Sequence, residues 1–345
     1  MPTRPLLEPV GETRAAAAKQ IAAAIGAARN IVLTTHVNAD GDGVGSEVAL
    51  VHLLSALGKQ VSIANPSPIP ERYAFLRDPV RPNDRSGDAV KAIRAADLFL
   101  VLDIADVGRL GHLGAPLTAR GVPAACIDHH LSPGTLPPGP RLVDAEAAAT
   151  GELVYDLAAT AGWPLSSEAA RALYVALVTD TGGFRFSNTA PRGLRVAASL
   201  LEHGVHPEQV YESVYATAPL GRLRLTAEVL ETLFVEPEIG LSWLTVPAGA
   251  VERHGTTPDD LDGLIEMARS VQGTRLALLF RPLASGNIKV SFRSVGDVDV
   301  AAFATGFGGG GHAKAAGASV AGTLDEVQHT VLAAARRLLK DGKDT

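Results

Sequence analysis

Three apolar runs in the first 130 residues each end on acids or histidines, and this pattern constrains the fold more than any other feature of the chain. Asn30 to Thr35 (NIVLTT) leads into His36, Asp40 and Asp42. Leu98 to Leu102 (LFLVL) ends at Asp103, and Val122 to Ile127 (VPAACI) ends at Asp128, His129 and His130. Short runs that are continuously apolar rather than alternating read as strands covered on both faces. Helical patterns lie between them at Ala15–Ala27, Gly45–Leu57 (with Gly58 as C-terminal cap) and Asp88–Ala96, with a further strand at Gln60–Ala64. Strand and helix in alternation predict a parallel sheet with helices on both faces. The carboxyl ends of such strands open on one crevice, where ligands bind. Two more helices follow, Gly151–Ala161 and Ser167–Thr179, and the second closes on a further acid, Asp180, in the phrase TDTGGFRF.

The chain has 345 residues, enough for about two domains. With 46% hydrophobic and 20% charged residues it has the composition of a folded globular protein. No stretch approaches the ~18 apolar residues of a membrane helix. Prolines and glutamates in the first twelve residues break any signal-peptide core. A single cysteine, Cys126, excludes an intrachain disulfide and a thiolate zinc site, so the cytoplasm is the expected compartment. The net charge of −6 argues against a broad basic surface for long nucleic acid and leaves room for a small anion held by local cations. Residues 1–189 read as one α/β domain and 190–231 as a helical connector. Residues 232–345 read as a second, smaller α/β domain, with strands at Leu241–Val246, Thr274–Phe280 and Ile288–Arg293 and a terminal helix at Leu324–Leu339. The uncharged run Val300–Gly311 and the glycine-rich Gly306–Gly317 read as loop.

Asp40, Asp42, Asp103 and Asp180, gathered in one crevice, would repel one another unless cations intervene. Their four charges balance two divalent ions, with His36 and His129 as neutral nitrogen donors. A His/Asp set without thiolate suits Mn²⁺ or a similar borderline ion, and a two-ion site of this kind clamps phosphoryl oxygens. Each residue also has a plainer reading: a lone acid at a strand end is often a helix cap, and Gly41, Gly43 and Gly45 lack the spacing of a dinucleotide loop. A second constellation is GFGGGGHAKAAG, residues 306–317. Successive glycines let main-chain N–H groups approach an anion, and His312, Lys314 and Arg293 add positive donors.

HVNADGDGVGS, LVLDIADVGR, IDHHLS and VTDTGGFRF resemble, in order, the four motifs of the DHH phosphoesterase superfamily, and GFGGGGHAKAAG preceded by SFRS resembles its associated C-terminal substrate domain. Length and the GGGH ending most resemble the NrnA-type nanoRNases, which are also phosphatases for 3′-phosphoadenosine 5′-phosphate (pAp). The resemblance implies a two-lobed α/β protein that hydrolyses short oligoribonucleotides and pAp with two divalent ions, Mn²⁺ foremost. It implies that His36, Asp40 and Asp103 hold one ion, and that Asp42, Asp103, His129 and Asp180 hold the other. His130 would face the scissile phosphate, oriented by Asp128. Arg293, Gly310, Gly311 and His312 would grip the substrate, with Arg109 reaching the same cleft. The family's common proline in the first motif is Ala39 here, which is not a ligand position. The same machinery also serves cyclic or linear dinucleotide (c-di-AMP, pApA) phosphodiesterases, RecJ-like exonucleases and manganese pyrophosphatases. A non-enzymatic nucleotide sensor is the rival from another class. A homodimer is compatible with the sequence.

Overall fold

The computed structural model describes residues 9–77, 93–104, 106–119, 121–130, 135 and 138–341, apart from the side chains of 116, 118, 119, 312 and 341. The chain divides into two compact units, Met1–Thr217 and Ala218–Thr345. The division falls inside the 190–231 stretch.

In the first unit α1 (Glu12–Ala27), β1 (Asn30–Thr34), α2 (Gly41–Ala56), β2 (Gln60–Ile63), β3 (Leu98–Leu102), α3 (Gly114–Ala119), β4 (Ala124–Asp128) and β5 (Arg141–Val143) follow in order. α4 (Thr150–Ala161), α5 (Ser167–Asp180), α6 (Pro191–Glu202) and α7 (Pro207–Tyr211) complete it. The five strands form one all-parallel sheet in the order β2-β1-β3-β4-β5. The strands β3 and β4 are buried along their whole length, as their continuous apolar sequence requires. Leu33, Leu100 and Ile127 face α2, α4 and α5 in the larger core cluster, whereas Val32, Phe99 and Val101 pack in a second cluster with Ile104, Leu110 and Leu113. The expected helix at Asp88–Ala96 lies largely outside the described residues.

The helix α2 begins at Gly41, four residues before the expected start. Its close packing on α5 explains why: a Cβ on Gly45 would lie 2.5 Å from the Ala172 carbonyl oxygen and 2.9 Å from the Ala176 nitrogen. Close approach of two main chains overrides the poor helix propensity of the glycines. Gly45→Ala should therefore cost about 1–3 kcal/mol through overpacking, read as a lower midpoint in thermal or denaturant unfolding. An unchanged midpoint would mean that α2 and α5 can separate without loss.

The second unit begins with α8 (Leu220–Leu230), β6 (Phe234–Glu236), β7 (Leu241–Thr245), α9 (Ala250–Arg253), α10 (Leu264–Arg269), β8 (Leu276–Pro282) and β9 (Ile288–Ser294). It ends with α11 (Val300–Thr305), β10 (Gly310–His312), β11 (Ala315–Val320) and α12 (Leu324–Asp341). Six strands form a mixed sheet ordered β10-β11-β9-β8-β7-β6, parallel only between β7 and β8. Phe280, Phe292 and Val331 anchor its main core. Two expectations are corrected here. The run from Val300 holds helix α11, capped by Asp299, which accepts from the amides of Ala301 and Ala302. The glycine-rich segment is a hairpin, not a loop, because β11 finds an antiparallel partner in β9 and then pairs β10. Ladder hydrogen bonds outweigh the weak strand preference of Gly and Ala.

Candidate active site

The carboxyl ends of β1, β3 and β4 deliver His36, Asp103 and His129 to one place, and the start of α2 and the end of α5 bring in Asp40, Asp42 and Asp180. Asp40 caps α2, its Oδ1 accepting from the Asp42 and Gly43 amides at 3.1 and 3.2 Å. The capping and site readings of this residue therefore coexist, because its Oδ2 lies 3.7 Å from His36 Nε2. His36 Nε2 is also 3.4 Å from Asp103 Oδ2. His129 Nε2 stands 3.6 Å from Asp42 Oδ2, 3.7 Å from Asp103 Oδ1 and 3.6 Å from Asp180 Oδ2. Three sets, His36–Asp40–Asp103, Asp42–His129–Asp180 and Asp103–His129–His130, each bring their ligand atoms within 4.8 Å of one another.

These separations are long for hydrogen bonds and close to the edges of a coordination shell. Donors about 2.1 Å from a shared ion stand about 3.0–3.4 Å apart. The two Nε2 atoms, of His36 and His129, are buried without a hydrogen-bond partner. Their Nδ1 atoms lie 2.9 Å from the Val37 carbonyl oxygen and 3.4 Å from that of Ala147. A carbonyl only accepts, so each Nδ1 carries a proton, and in the neutral ring each Nε2 is the atom left to bind a cation beside the carboxylates. The donor set fits divalent cations.

Electrostatics give the same answer. In the protein alone, burial and the neighbouring charges of Asp103, Asp180 and Asp40 push the Asp42 carboxyl well above its ordinary value. Burial and the charges of Asp103 and Asp40 raise Asp180 to about 6, against the opposing pull of His129. Burial lowers the His36 pKa, but the negative carboxylates of Asp103 and Asp40 close to its Nε2 outweigh it and carry the ring to about 10. Protons thus sit where cations would relieve the same repulsion. Asp103 adopts φ 57°, a left-handed conformation costly for a residue with a Cβ. Its amide donates to the Ile127 carbonyl at 3.0 Å and its Oδ1 accepts from Thr150 Oγ1 at 3.2 Å.

Next to the cluster, Asp128 is fully buried and its Oδ1 takes the His130 Nδ1–H at 2.7 Å and the His130 amide at 3.2 Å. Burial lowers the His130 pKa, but the Asp128 hydrogen bond and the Asp103 charge raise it overall. Arg109 is exposed in the 3-10 turn Val107–Leu113, where its carbonyl accepts from the Val37 amide at 2.9 Å and its charge acts on His130. Arg109 therefore belongs beside the cluster.

In the second unit Arg293 and His312 stand opposite Ala315 from either side, in one row across β9, β11 and β10. The Arg293 Nε donates to Glu266 Oε1 at 2.9 Å, so an acid already partners this cation. Lys314 reaches the Gly296 and Val298 carbonyls. Gly311, at φ 146°, admits no Cβ, which would lie 2.5 Å from the Ala315 carbonyl oxygen. Hairpin closure thus accounts for this glycine without an anion. The side chain of His312 lies outside the described part of the structure.

Several supporting residues escaped the sequence reading. The amides of Thr150 and Gly151, at the start of α4, donate to Asp42 at 2.7 and 2.9 Å and bring a helix N-terminus to bear on that carboxylate. Asn188 Nδ2 donates to Asp180 Oδ2 at 2.8 Å. Asn65 accepts from the Thr35 amide at 3.1 Å and donates to the buried Glu47 at 2.8 Å, holding the chain just before His36. Asn65 follows a strand end, as the named acids do, and that signal could have found it. Nothing local marks Thr150 or Asn188.

Residues 30–177 match the DHH family, N-terminal domain, and residues 244–341 match the DHHA1 domain. The chain belongs to the DHH family, whose members are phosphoesterases, and it is a hydrolase of phosphate esters. It is 35% identical over 313 residues to the bifunctional oligoribonuclease and PAP phosphatase NrnA of Thermus thermophilus, covering 90% of each chain. The protein of the same name from Bacillus subtilis is 29% identical over 296 residues, covering 84% of this chain and 89% of the other. Among solved structures, an exopolyphosphatase-related protein from Bacteroides fragilis superposes with a TM-score of 0.87 at 27% identity, covering 95% of this chain and 97% of that one. A structure of exonuclease RecJ bound to manganese superposes at 0.55 with 18% identity, over 99% of this chain and 97% of that one, and shares the fold alone. Among the described residues no helix is long and apolar enough to cross a membrane.

Proposed function

We propose that the protein degrades short oligoribonucleotides to mononucleotides and removes a phosphate from pAp, using two divalent ions, preferably Mn²⁺. The observation that carries this reading is the set of overlapping triads that share Asp103 and His129, with two buried imidazole Nε2 atoms turned on four carboxylates. The names of the Thermus thermophilus and Bacillus subtilis relatives support the substrate class.

In this reading His36, Asp40 and Asp103 hold one ion, and Asp42, Asp103, His129 and Asp180 hold the other. When bound, the ions supply positive charge to the phosphoryl oxygens and make water a better nucleophile. His130, its Nδ1–H fixed on Asp128, acts as a donor to a phosphoryl oxygen. A positive imidazole in that place stabilises the charge that develops there. Arg109 adds a second cation on the same side. Asn188, Thr150 and Gly151 hold the carboxylates in orientation. Arg293, Gly310, Gly311 and His312 form the grip on the substrate's terminal nucleotide, and Arg293 exchanges its Glu266 partner for phosphate. We further propose three functional segments, the metal-holding domain over 1–189, a helical connector over 190–231 and the substrate domain over 232–345.

Purified protein with Mn²⁺ should be given pAp, a diribonucleotide, a pentamer, a 24-mer, c-di-AMP and pyrophosphate at equal molarity. The diribonucleotide and pentamer should turn over fastest and pAp should also react, since a few local phosphate contacts on a chain of net charge −6 favour short substrates. Faster turnover of the 24-mer, of pyrophosphate or of c-di-AMP would overturn this choice in favour of an exonuclease, a pyrophosphatase or a cyclic-dinucleotide phosphodiesterase.

A further inference from the structure

The motif that contributes Asp180 continues as Thr181-Gly-Gly-Phe-Arg-Phe186, and the phosphoesterase reading gives this tail no role. Gly182, Gly183 and Phe184 all have positive φ, at 57°, 70° and 64°. For phenylalanine this is a rare and strained conformation, of the kind retained at functional sites. The Thr181 hydroxyl holds it in place by accepting from the Phe184 amide at 3.1 Å, and Arg185 Nε donates to the Gly182 carbonyl at 2.6 Å.

The loop forms one wall of a cavity of about 460 Å³ that also has Tyr174, Val178, Tyr211 and Tyr215 in its lining. Large rings are seldom left in water on a surface that has no partner. Here Tyr211 is 61% exposed and Tyr215 45%. Their ring centroids are 5.6 Å apart and their planes tilted by 43°, a tilted pair that still leaves much of each ring exposed. The Tyr215 hydroxyl donates to the Val178 carbonyl at 3.1 Å, which pins that ring. Burial raises the Tyr215 pKa, and the positive charges of Arg185 and Arg72 oppose the rise, so two cations stand near these aromatics. Val178 and Gly182, both in the lining, lie two residues either side of Asp180 along the chain.

Exposed tyrosines with arginine beside them, against the loop that follows a ligand position of a phosphate-ester site, have the chemistry that binds single-stranded nucleic acid. Rings stack on bases of any sequence and cations meet the backbone. We infer that this cavity is a second base-binding subsite, which takes a nucleobase of a short oligoribonucleotide next to the scissile phosphate on Tyr211 and Tyr215, with Arg185 facing the adjoining phosphate. The inference rests on the proposed substrate class. It predicts a difference between substrates, because pAp has one nucleoside and cannot fill this subsite and the terminal grip together.

Tyr211 is exposed, so Tyr211→Ala leaves the packing of the fold intact. The variant should raise KM for a pentamer about tenfold, the loss expected for one stacked base. Its KM for pAp should stay within about twofold of wild type on the same argument, and Tyr211→Phe should restore pentamer binding. Independently of turnover, a trimer carrying 5-iodouridine should photo-cross-link to residues 207–217 of the wild-type protein. Equal changes for pentamer and pAp, no change for either, or cross-links confined to other segments would overturn the subsite. A wild-type protein that hydrolyses neither substrate would overturn the substrate class instead, and the cross-link would then decide the subsite by itself.

Discussion

Asp103→Asn should abolish hydrolysis while the protein stays folded. Asparagine is the informative replacement because it tolerates the left-handed conformation at φ 57° and can still accept from Thr150 Oγ1, whereas alanine adds backbone strain to the loss of charge. Among the described residues only Asp103 has carboxylate oxygens within 4 Å of both imidazole Nε2 atoms, 3.4 Å from that of His36 and 3.7 Å from that of His129, so it is the carboxylate the two proposed ions would share. Losing one shared ligand should cost about 4 kcal/mol or more of transition-state stabilisation, roughly a thousandfold in rate. Thermal melts give the second readout. A ligand that binds only the folded state adds about 4 kcal/mol at a thousand times its Kd, so Mn²⁺ should raise the melting temperature of wild type strongly and of the variant little. In chelator the variant should melt no lower than wild type, since one of four crowded carboxylates has lost its charge. An active Asp103→Asn enzyme, or one with an undiminished Mn²⁺ shift, would contradict the shared-ligand assignment.

Replacing His130 should produce the next largest loss and should leave the metal in place. In the proposed site this ring touches the reacting phosphate and is held by Asp128 through the 2.7 Å hydrogen bond. His130→Ala should lower kcat about 10²–10³-fold, the usual cost of one charged donor at a developing negative charge. Asp128→Asn should lower kcat in the same direction, because the amide favours a different orientation or tautomer of the ring. Manganese content per chain, measured by elemental mass spectrometry, should be that of wild type in both. His130 also belongs to a triad with Asp103 and His129, so the alternative is definite. Metal lost in step with activity would make His130 a ligand rather than a donor to substrate.

The sequence carried the site further than it carried the surrounding structure. β1, β3 and β4 were readable because strands covered on both faces must be apolar at every position, and their ends then display whatever chemistry follows. Short edge strands have no such signature. β5 and β6 are three residues each, and β10 is Gly-Gly-His. They are strands only because a neighbour offers a free row of hydrogen-bonding groups. The helix α2 starts four residues before its sequence pattern does, for a related reason. Gly41 and Gly43 have poor intrinsic helix propensity, whereas packing against α5 and the Asp40 cap make them part of the first turn of the helix.

What the sequence determined by itself was a set of identities in order: four aspartates and two histidines at the ends of apolar segments, an Asp-His-His turn, and a glycine-rich segment near the C-terminus. That pattern was enough to indicate the α/β class and the kind of chemistry, because residue type decides which ion or group can be bound. Only the tertiary structure decided how these groups are oriented. It turned the Nε2 atoms of His36 and His129 inward through carbonyls at Val37 and Ala147. It set the α4 amides on Asp42 and Asn188 on Asp180, paired Arg293 with Glu266, and placed two exposed tyrosines beside the Asp180 loop. Most of these relations join residues distant in the chain, and the strength of all of them depends on distance, direction and burial, which become defined only when the sheet and helices pack.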